Sequence, residues 1–271
     1  MGHRGKNQAK EKKVKMAFLE VHNLVKDFGG LRANNDISFT VDRGELIGLI
    51  GPNGAGKTTL FNCISGLHTI TSGGIVFDGE DITALKAHEV ARRGLARTFQ
   101  VYAAAGDLTV LENVMVGCFM RNRSRMRARH KAMEVLKDLA IDDLSHSMVS
   151  ELPVAAQKRV TMATAIGSDP KLLLLDEVAA GLNPSEIEDI MKSIRHVHDE
   201  MGITVILIEH VMELVMKVSH KLIVLDYGEK IAEGDPHTVS KDPRVIKAYL
   251  GERYAKEHGG LNSEGRSEID P

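Results

Sequence analysis

A glycine-rich segment directly follows a short apolar run, Leu46–Ile50, and restricts the folds that this chain can adopt. Its residues are Gly51, Pro52, Asn53, Gly54, Ala55, Gly56, Lys57, Thr58 and Thr59. The spacing G-x-x-x-x-G-K-[ST] is that of a loop whose backbone N–H groups hold nucleotide phosphates at the start of a helix. In such a loop Lys57 supplies a cation to the phosphates, and the Thr58 hydroxyl can bind Mg²⁺. Turn glycines beside a surface lysine are the alternative, but the apolar run before the segment and the helical pattern after it favour the phosphate-binding loop.

A second motif is an apolar run at 172–175 that ends in two adjacent carboxylates, Asp176 and Glu177. A carboxylate at the carboxyl end of a buried strand can hold Mg²⁺ in nucleotide hydrolases that have a phosphate-binding loop. We assign that role to Asp176 and expect Glu177 to polarise an attacking water. Alone, such a pair is often only a solvated strand end; behind a phosphate-binding loop it predicts a nucleotide hydrolase.

The order of the patterns along the chain predicts an α/β fold with a parallel sheet. The continuous apolar runs at 172–175 and Thr204–Ile208 suit strands covered on both faces. The segment 184–198 between them has the pattern of a helix with Pro at its start, which completes a βαβ unit. Further strands are predicted at 37–41, 46–50, 75–78, 222–225 and 230–233, and further helices at 57–67, 110–119 and 127–139.

Strand patterns vanish from about 101 to 150, which indicates an all-helical insert. We therefore predict a P-loop NTPase (RecA-like) core with an antiparallel β part, spanning 17–256, with a helical sub-domain inserted at about 101–160. The Lys-rich residues 1–16 and the Gly/Ser/Glu-rich residues 257–271 are predicted to be disordered tails. A weak electrostatic tether to anionic lipid is the other interpretation of 1–16.

Composition excludes several classes of protein. The chain has 271 residues, a formal net charge of −2, no Trp and few aromatics, so neither charge nor base stacking argues for nucleic-acid binding. Cys63 and Cys118 are too few for a disulfide framework and are expected in the core. The sequence has no run of 18 apolar residues, so no bilayer-spanning helix is predicted.

Four further segments match the pattern of one known family in order and spacing. They are Phe28, the run Arg97-Thr98-Phe99-Gln100, the run Ala180-Gly181-Leu182-Asn183-Pro184 and the run Ile208-Glu209-His210. Over about 18–250 the chain resembles the nucleotide-binding subunits of ABC transporters. The resemblance implies that Phe28 stacks on adenine, that Gln100 contacts Mg²⁺ and the water, and that His210 contacts the γ-phosphate of ATP. It also implies that 180–184 is a loop crossing a dimer interface.

One segment departs from the family pattern. The family signature Leu-Ser-Gly-Gly-Gln aligns with Leu152, Pro153, Val154, Ala155 and Ala156. In the family, the serine hydroxyl and the glycine backbone bind the γ-phosphate held by the opposite subunit. Pro153 offers neither an N–H nor a hydroxyl, but Pro suits the start of a helix, so we expect the helix to form. Val178 also stands where the family usually has Pro.

The motifs are similar to one subgroup, which serves importers of branched-chain and other hydrophobic amino acids, and of related amides or urea. The resemblance implies membrane permeases, a second ATPase subunit, a solute-binding protein and a place at the cytoplasmic face of the inner membrane. Lipopolysaccharide exporters share parts of these motifs and are the alternative.

Two other classes of protein fit the sequence less well. Soluble ABC ATPases usually carry two cassettes or a long coiled-coil insertion, and a small-molecule kinase would not need Gln100, His210 and 180–184. The basic run over 121–131 is interpreted as a solvated face, with contact to lipid headgroups as the alternative.

Overall fold

The computed structural model describes residues 17–98 and 105–248. Within these residues the chain forms ten β-strands and eight α-helices. The strands are β1 (Leu19–Phe28), β2 (Leu31–Val41), β3 (Leu46–Ile50), β4 (Ser72–Phe77), β5 (Glu80–Asp81), β6 (Leu95–Arg97), β7 (Leu172–Asp176), β8 (Thr204–Ile208), β9 (Lys221–Asp226) and β10 (Glu229–Gly234). The helices are α1 (Lys57–Ile64), α2 (Ala87–Arg92), α3 (Val110–Cys118), α4 (Arg125–Asp138), α5 (Val154–Gly167), α6 (Pro184–Asp199), α7 (Met212–Val218) and α8 (Pro236–Val239).

The larger sheet has six strands in the order β10-β9-β3-β8-β7-β6, and its neighbours run parallel except β10 and β9. Every residue of β3, β7 and β8 is buried, which explains their continuous apolar sequences. The register pairs Asp176 with Ile208, and Ile208 with Leu49. The loops that follow β7, β8 and β3 therefore begin side by side at one edge of the sheet.

The smaller sheet is antiparallel, with four strands in the order β2-β1-β4-β5. Its apolar residues, among them Leu19 and Phe77, share one core with Phe61 of α1 and Ile206 of β8. Strand β1 was not predicted, because register shifts after Val21 interrupt the alternation of buried and exposed residues that would reveal it.

Three helices lie between β6 and β7 and pack on one another and on the larger sheet. Two correspond to predicted helices: α3, whose capping box pairs Thr109 with Glu112, and α4. The third, α5, begins after Pro153 at the N-cap, so the helix expected there does form. Helices α3 and α5 touch closely, since a Cβ on Gly117 would lie 1.9 Å from the Thr164 carbonyl oxygen.

The structure also gives the end of α1 and the surroundings of the two cysteines. Helix α1 ends at Ile64, three residues before the predicted end at 67, because Gly66 turns the chain with φ +72°. Cys63 and Cys118 are buried free thiols, as predicted, and burial raises the pKa of each to about 11.

No helix in the two described ranges has the length and apolar character needed to cross a bilayer. The predicted tails and residues 101–104 of the predicted insert lie outside the described residues.

Candidate active site

The glycine-rich segment forms a tight loop between β3 and α1. Gly51, Gly54 and Gly56 have φ values of +148°, +81° and +94°, which residues with a side chain rarely adopt. Two of them also have no room for a Cβ. At Gly51 it would lie 2.1 Å from the Leu225 carbonyl oxygen, and at Gly56 it would lie 2.4 Å from the Ala33 carbonyl oxygen. The loop thus keeps its backbone open toward the start of α1, where N–H groups and the helix dipole favour an anion.

Lys57 is the first residue of α1, and its side chain turns back across the loop. Its Nζ donates to the carbonyl oxygens of Gly51 at 2.8 Å and Pro52 at 2.9 Å. Only 5% of the residue is exposed, and burial lowers its pKa, while the carboxylates of Glu177 and Asp176 raise it. The ammonium therefore lies near the loop carbonyls and the carboxylates of Asp176, the predicted Mg²⁺ ligand, and Glu177, the predicted base.

A cavity of about 480 Å³ opens over this loop. The predicted residues that line it are Phe28, Asn53, Gly54, Ala55, Gly56, Lys57, Thr58, Thr59 and Glu177. Phe28 is 42% exposed, and its ring is braced by an edge-on contact with His68, with ring centroids 5.3 Å apart. A fixed aromatic ring at the mouth of a phosphate-binding cavity can stack on a base. Tyr227 and Arg32 also line the cavity, and no sequence motif pointed to them.

Asp176 ends β7 as a buried carboxylate, 2% exposed. Its Oδ2 accepts a hydrogen bond of 2.7 Å from Arg97 Nη2, and its backbone N–H donates to Thr98 Oγ1 at 3.1 Å. Its Oδ1 is buried and has no hydrogen-bond partner among the described residues. Burial raises the pKa of Asp176, and the Arg97 guanidinium opposes that shift. A buried carboxylate oxygen that lacks a donor is suited to a cation.

Glu177 and His210 meet where the loops after β7 and β8 run side by side. Glu177 Oε1 lies 3.0 Å from His210 Nε2, within hydrogen-bonding distance. Glu177 has a left-handed backbone, with φ +49°, and its N–H donates to the Ile208 carbonyl at 2.9 Å. Such a conformation in a residue other than Gly costs about 1–3 kcal/mol and persists where its surroundings hold it. The turn points the Glu177 side chain into the cavity instead of continuing the strand.

Two further residues bind the loop after β7, which begins at Glu177, and were not predicted from the sequence. Lys158 on α5 donates to backbone carbonyls in the loop, and Glu209 accepts a backbone N–H from it. Glu209 belongs to a predicted motif only as the neighbour of His210, and Lys158 follows the signature segment without being part of it. Their role depends on tertiary contacts, which a local motif does not reveal.

The remaining predicted residues lie elsewhere. Leu152, Val154, Ala155 and Ala156 are at the start of α5, and none of them is among the described residues that line the cavity. Gln100 lies outside the described residues, so its predicted contacts stay a prediction.

The phosphate-binding loop, the parallel sheet and the carboxylates at its edge define an ATP-binding cassette. The ABC transporter family profile matches residues 34–180, more than half of the chain. The chain belongs to this family of ATP-binding transporter subunits and is an ATP hydrolase of that class, as the motifs predicted. A second profile, described as branched-chain amino acid ATP-binding cassette transporter, matches residues 229–255.

Three related proteins are similar to this chain over nearly their whole length. The high-affinity branched-chain amino acid transport ATP-binding protein BraF of Pseudomonas aeruginosa is 39% identical over 250 residues, covering 87% of this chain and 98% of that protein. The corresponding protein LivG of Escherichia coli is 36% identical with the same coverage. The lipopolysaccharide export system ATP-binding protein LptB of Escherichia coli is 35% identical over 240 residues, with 88% and 99% covered.

Solved structures agree on the fold. A nucleotide-free ATP-binding cassette from an ABC transporter superposes with a TM-score of 0.80 at 31% identity, covering 88% of this chain and all of that one. A cassette in its ADP conformation gives 0.79 at 32% identity, with the same coverage. The P-loop NTPase core predicted from the sequence is therefore confirmed.

Proposed function

We propose that this chain is the ATP-hydrolysing subunit of an importer of branched-chain or other hydrophobic amino acids, or of related amides. The main support for this proposal is that residues 229–255 match the branched-chain amino acid transporter profile. This segment lies outside the shared ATPase motifs. The similarity to BraF and LivG over nearly their whole length supports it. Lipopolysaccharide export is the second candidate, because LptB is nearly as similar.

We assign the reaction to three side chains: Lys57 and Glu177, which line the cavity, and His210, which contacts Glu177. Lys57 binds the phosphates, since its ammonium lies at the loop and next to the carboxylates. Glu177 accepts a proton from the attacking water, and the 3.0 Å contact with His210 orients its carboxylate. In this assignment His210 also reaches the γ-phosphate, and Phe28 stacks on the adenine ring.

The residues present fit a magnesium ion. Among the described residues no group donates to the buried Oδ1 of Asp176, and Thr58 lines the cavity at the first turn of α1. We propose that Thr58 and Asp176, together with Gln100, hold Mg²⁺. When bound, the ion would withdraw charge from the phosphate oxygens. Arg97 keeps Asp176 oriented, because it ties the carboxylate to Asn62 of α1 through Nη1.

We propose that the signature segment at the start of α5 contacts the nucleotide bound by a second ATPase subunit. Residues 152–156 lie away from the cavity of their own chain, which supports a dimer in which each signature segment faces the other subunit's ATP. The second ATPase subunit is either identical to this chain or different.

A groove supports the proposed contact with membrane permeases. It encloses about 370 Å³ between the start of α2, β6 and α3, and its lining includes the exposed apolar side chains of Leu67, Val116 and Met120. An exposed apolar groove of this kind suits a helical segment of another protein. We propose that permeases hold the chain at the cytoplasmic face of the inner membrane, and the groove supports this proposal.

Co-purification tests this assembly. The full chain with an affinity tag should retain hydrophobic membrane subunits in mild detergent, and a loaded solute-binding protein should stimulate the ATPase activity of the complex. Replacing Val116 and Met120 together by Asp should release the membrane subunits while ATP binding is kept. Recovery of the chain without membrane subunits would favour a soluble ABC ATPase. Stimulation by lipopolysaccharide rather than by amino acids would favour the exporter.

A further inference from the structure

The loop from Glu177 to Ala180 is held from two directions by charged side chains. Lys158 Nζ, on α5, donates to the carbonyl oxygens of Glu177 at 3.0 Å and Ala180 at 2.7 Å. On the other side Glu209 Oε1 accepts the Ala179 N–H at 2.7 Å. The backbone groups of the loop are thus bound by an ammonium and a carboxylate, which form stronger hydrogen bonds than neutral groups do.

The loop needs this support because its own sequence does not fix its shape. Glu177 has a left-handed backbone, and Val178 follows it at a position where a proline would have restrained φ. Within the loop, the Ala180 N–H contact to the Glu177 carbonyl is long, at 3.3 Å. The direction of the Glu177 side chain therefore depends on groups outside the loop.

Lys158 and Glu209 also depend on each other electrostatically. Glu209 is 1% exposed, and burial raises its pKa to about 7, while Lys158 lowers it. Burial lowers the pKa of Lys158, and the carboxylates of Glu209 and Glu177 raise it. Removing the ammonium would leave the Glu177 carbonyl with only the long contact from the Ala180 N–H, would take the Lys158 donor from the Ala180 carbonyl, and would remove the cation that acts on the buried Glu209 carboxylate.

We propose that Lys158 is a positioning residue for ATP hydrolysis, which holds the carbonyls of Glu177 and Ala180 and thereby fixes the Glu177 carboxylate in the cavity. The inference rests on the role proposed above for Glu177. Lys158 belongs to the helix that begins at the signature segment, 152–156, which is proposed to face the nucleotide of the second subunit. One rigid helix would then connect the signature of one ATP site with the catalytic carboxylate of the other.

The test compares two neighbouring residues of α5. Lys158→Met removes the ammonium and keeps an apolar stem of similar length, and Lys158→Arg restores a charged donor. Arg159→Met is the matched control, because Arg159 also donates to backbone carbonyls, those of Leu139 and Ala140 at the end of α4, away from Glu177. All variants are made in the full chain, within the purified transporter complex.

We expect Lys158→Met to lower kcat about 10- to 100-fold, with KM for ATP within about twofold, because misplacing a catalytic group by 1 Å costs that much. Lys158→Arg should recover most of kcat, and Arg159→Met should keep it within about twofold. Equal losses of kcat from Lys158→Met and Arg159→Met would indicate a general weakening of α5 and would overturn the proposal.

Hydrogen exchange gives a readout that does not need turnover. Lys158→Met should speed exchange of the Ala179 and Ala180 amides, whereas Lys158→Arg and Arg159→Met should not; unchanged exchange in Lys158→Met overturns the proposal. If Lys158→Met does not fold, Lys158→Gln takes its place in both measurements.

Glu177→Gln distinguishes a failure of the catalytic role proposed for Glu177 from a failure of the positioning role proposed for Lys158. If it retains turnover, the assigned role of Glu177 fails; if it is inactive while Lys158→Met matches wild type, only the positioning role fails.

Discussion

Asp176 and Glu177 are adjacent in sequence, yet their carboxylates have different surroundings. Asp176 is the last residue of β7, buried and bonded to Arg97, with one oxygen that has no donor among the described residues. Glu177 turns into the left-handed region, lines the cavity and contacts His210. The end of the strand between the two residues therefore separates a carboxylate suited to a cation from one suited to a water molecule.

Lys57 should dominate the affinity for ATP. We expect Lys57→Ala to weaken ATP binding by about 1.5–3 kcal/mol, or roughly 10- to 150-fold, because a charged hydrogen bond to the phosphates is lost. Calorimetry on the purified chain measures this. Lys192→Ala is the control, since Lys192 is exposed on α6 and pairs only with Asp189 among the ion pairs of the described residues. Unchanged affinity in Lys57→Ala would contradict the assignment of the loop.

Glu177 should act on the rate of hydrolysis and not on binding. Glu177→Gln keeps the shape of the side chain and removes its charge, so we expect turnover to fall about 10²- to 10⁴-fold while ATP binding is kept. His210→Ala should behave similarly, because Glu177 loses the partner that orients it. Steady-state hydrolysis and ATP binding are measured on the same preparations. Turnover within twofold of wild type in Glu177→Gln would exclude it as the base.

At the scale of elements, the sequence predicts what depends on local pattern. Three residues, Lys57, Asp176 and Glu177, each follow or begin a strongly patterned segment, so the pattern predicts both their elements and a chemical role for each. The predicted role of His210 rests on the resemblance to the family instead. Arg97 was quoted only as part of a motif, because its contact with Asp176 spans 79 positions of the chain. Helix α5 and strand β1 were not predicted from periodicity, since α5 is buried on several sides and β1 has register shifts. Long-range contacts of this kind leave no local trace.

Glu209, the residue after β8, makes the stability of the folded chain depend on pH. Its folded-state pKa is about 7, against an ordinary value of 4.5. Between these values the unfolded chain loses the proton first, so the wild-type free energy of unfolding falls as pH rises through this window. The loss is about 3 kcal/mol at most by linkage, and it is complete above pH 7. Lys158 and Glu177 are the charged neighbours that modify this value.

Glu209→Gln does not titrate and should remove that dependence. We expect the stability of Glu209→Gln relative to wild type to rise from pH 5 to pH 8. Urea unfolding of both proteins at matched pH values measures the difference, in which the other titrating groups cancel. A difference that stays constant with pH would show that Glu209 titrates in its ordinary range.

At the scale of the whole molecule, the proposed dimer has two different ATP sites when the second subunit carries a complete signature. This chain supplies a phosphate-binding loop, Asp176, Glu177 and His210, but its signature segment has Pro153 in place of the serine. Helix α5 still forms, so its dipole remains while the hydroxyl is absent. The site that faces this signature is therefore expected to be the weaker one.

Separate inactivation of the two sites tests this asymmetry. In the complete transporter, Lys57→Ala in this chain should reduce ATPase activity more than the equivalent change in its partner subunit does. The expected gap is roughly 10- to 150-fold, the value of one lost hydrogen bond to a charged phosphate. Equal losses, or the reverse order, would mean that the backbone N–H groups and the helix dipole of α5 compensate fully.

We infer that ATP hydrolysis at the site built on Lys57 and Glu177 drives the uptake of a hydrophobic amino acid. This coupling is measured as the uptake of labelled leucine into proteoliposomes that contain the complete transporter, its solute-binding protein and ATP on the cytoplasmic side. We predict uptake with the wild-type chain and its loss with Glu177→Gln, although the variant complex still assembles and binds ATP. Uptake that persists with Glu177→Gln, or that is absent for every branched-chain or hydrophobic amino acid or related amide with the wild-type chain, would contradict the account.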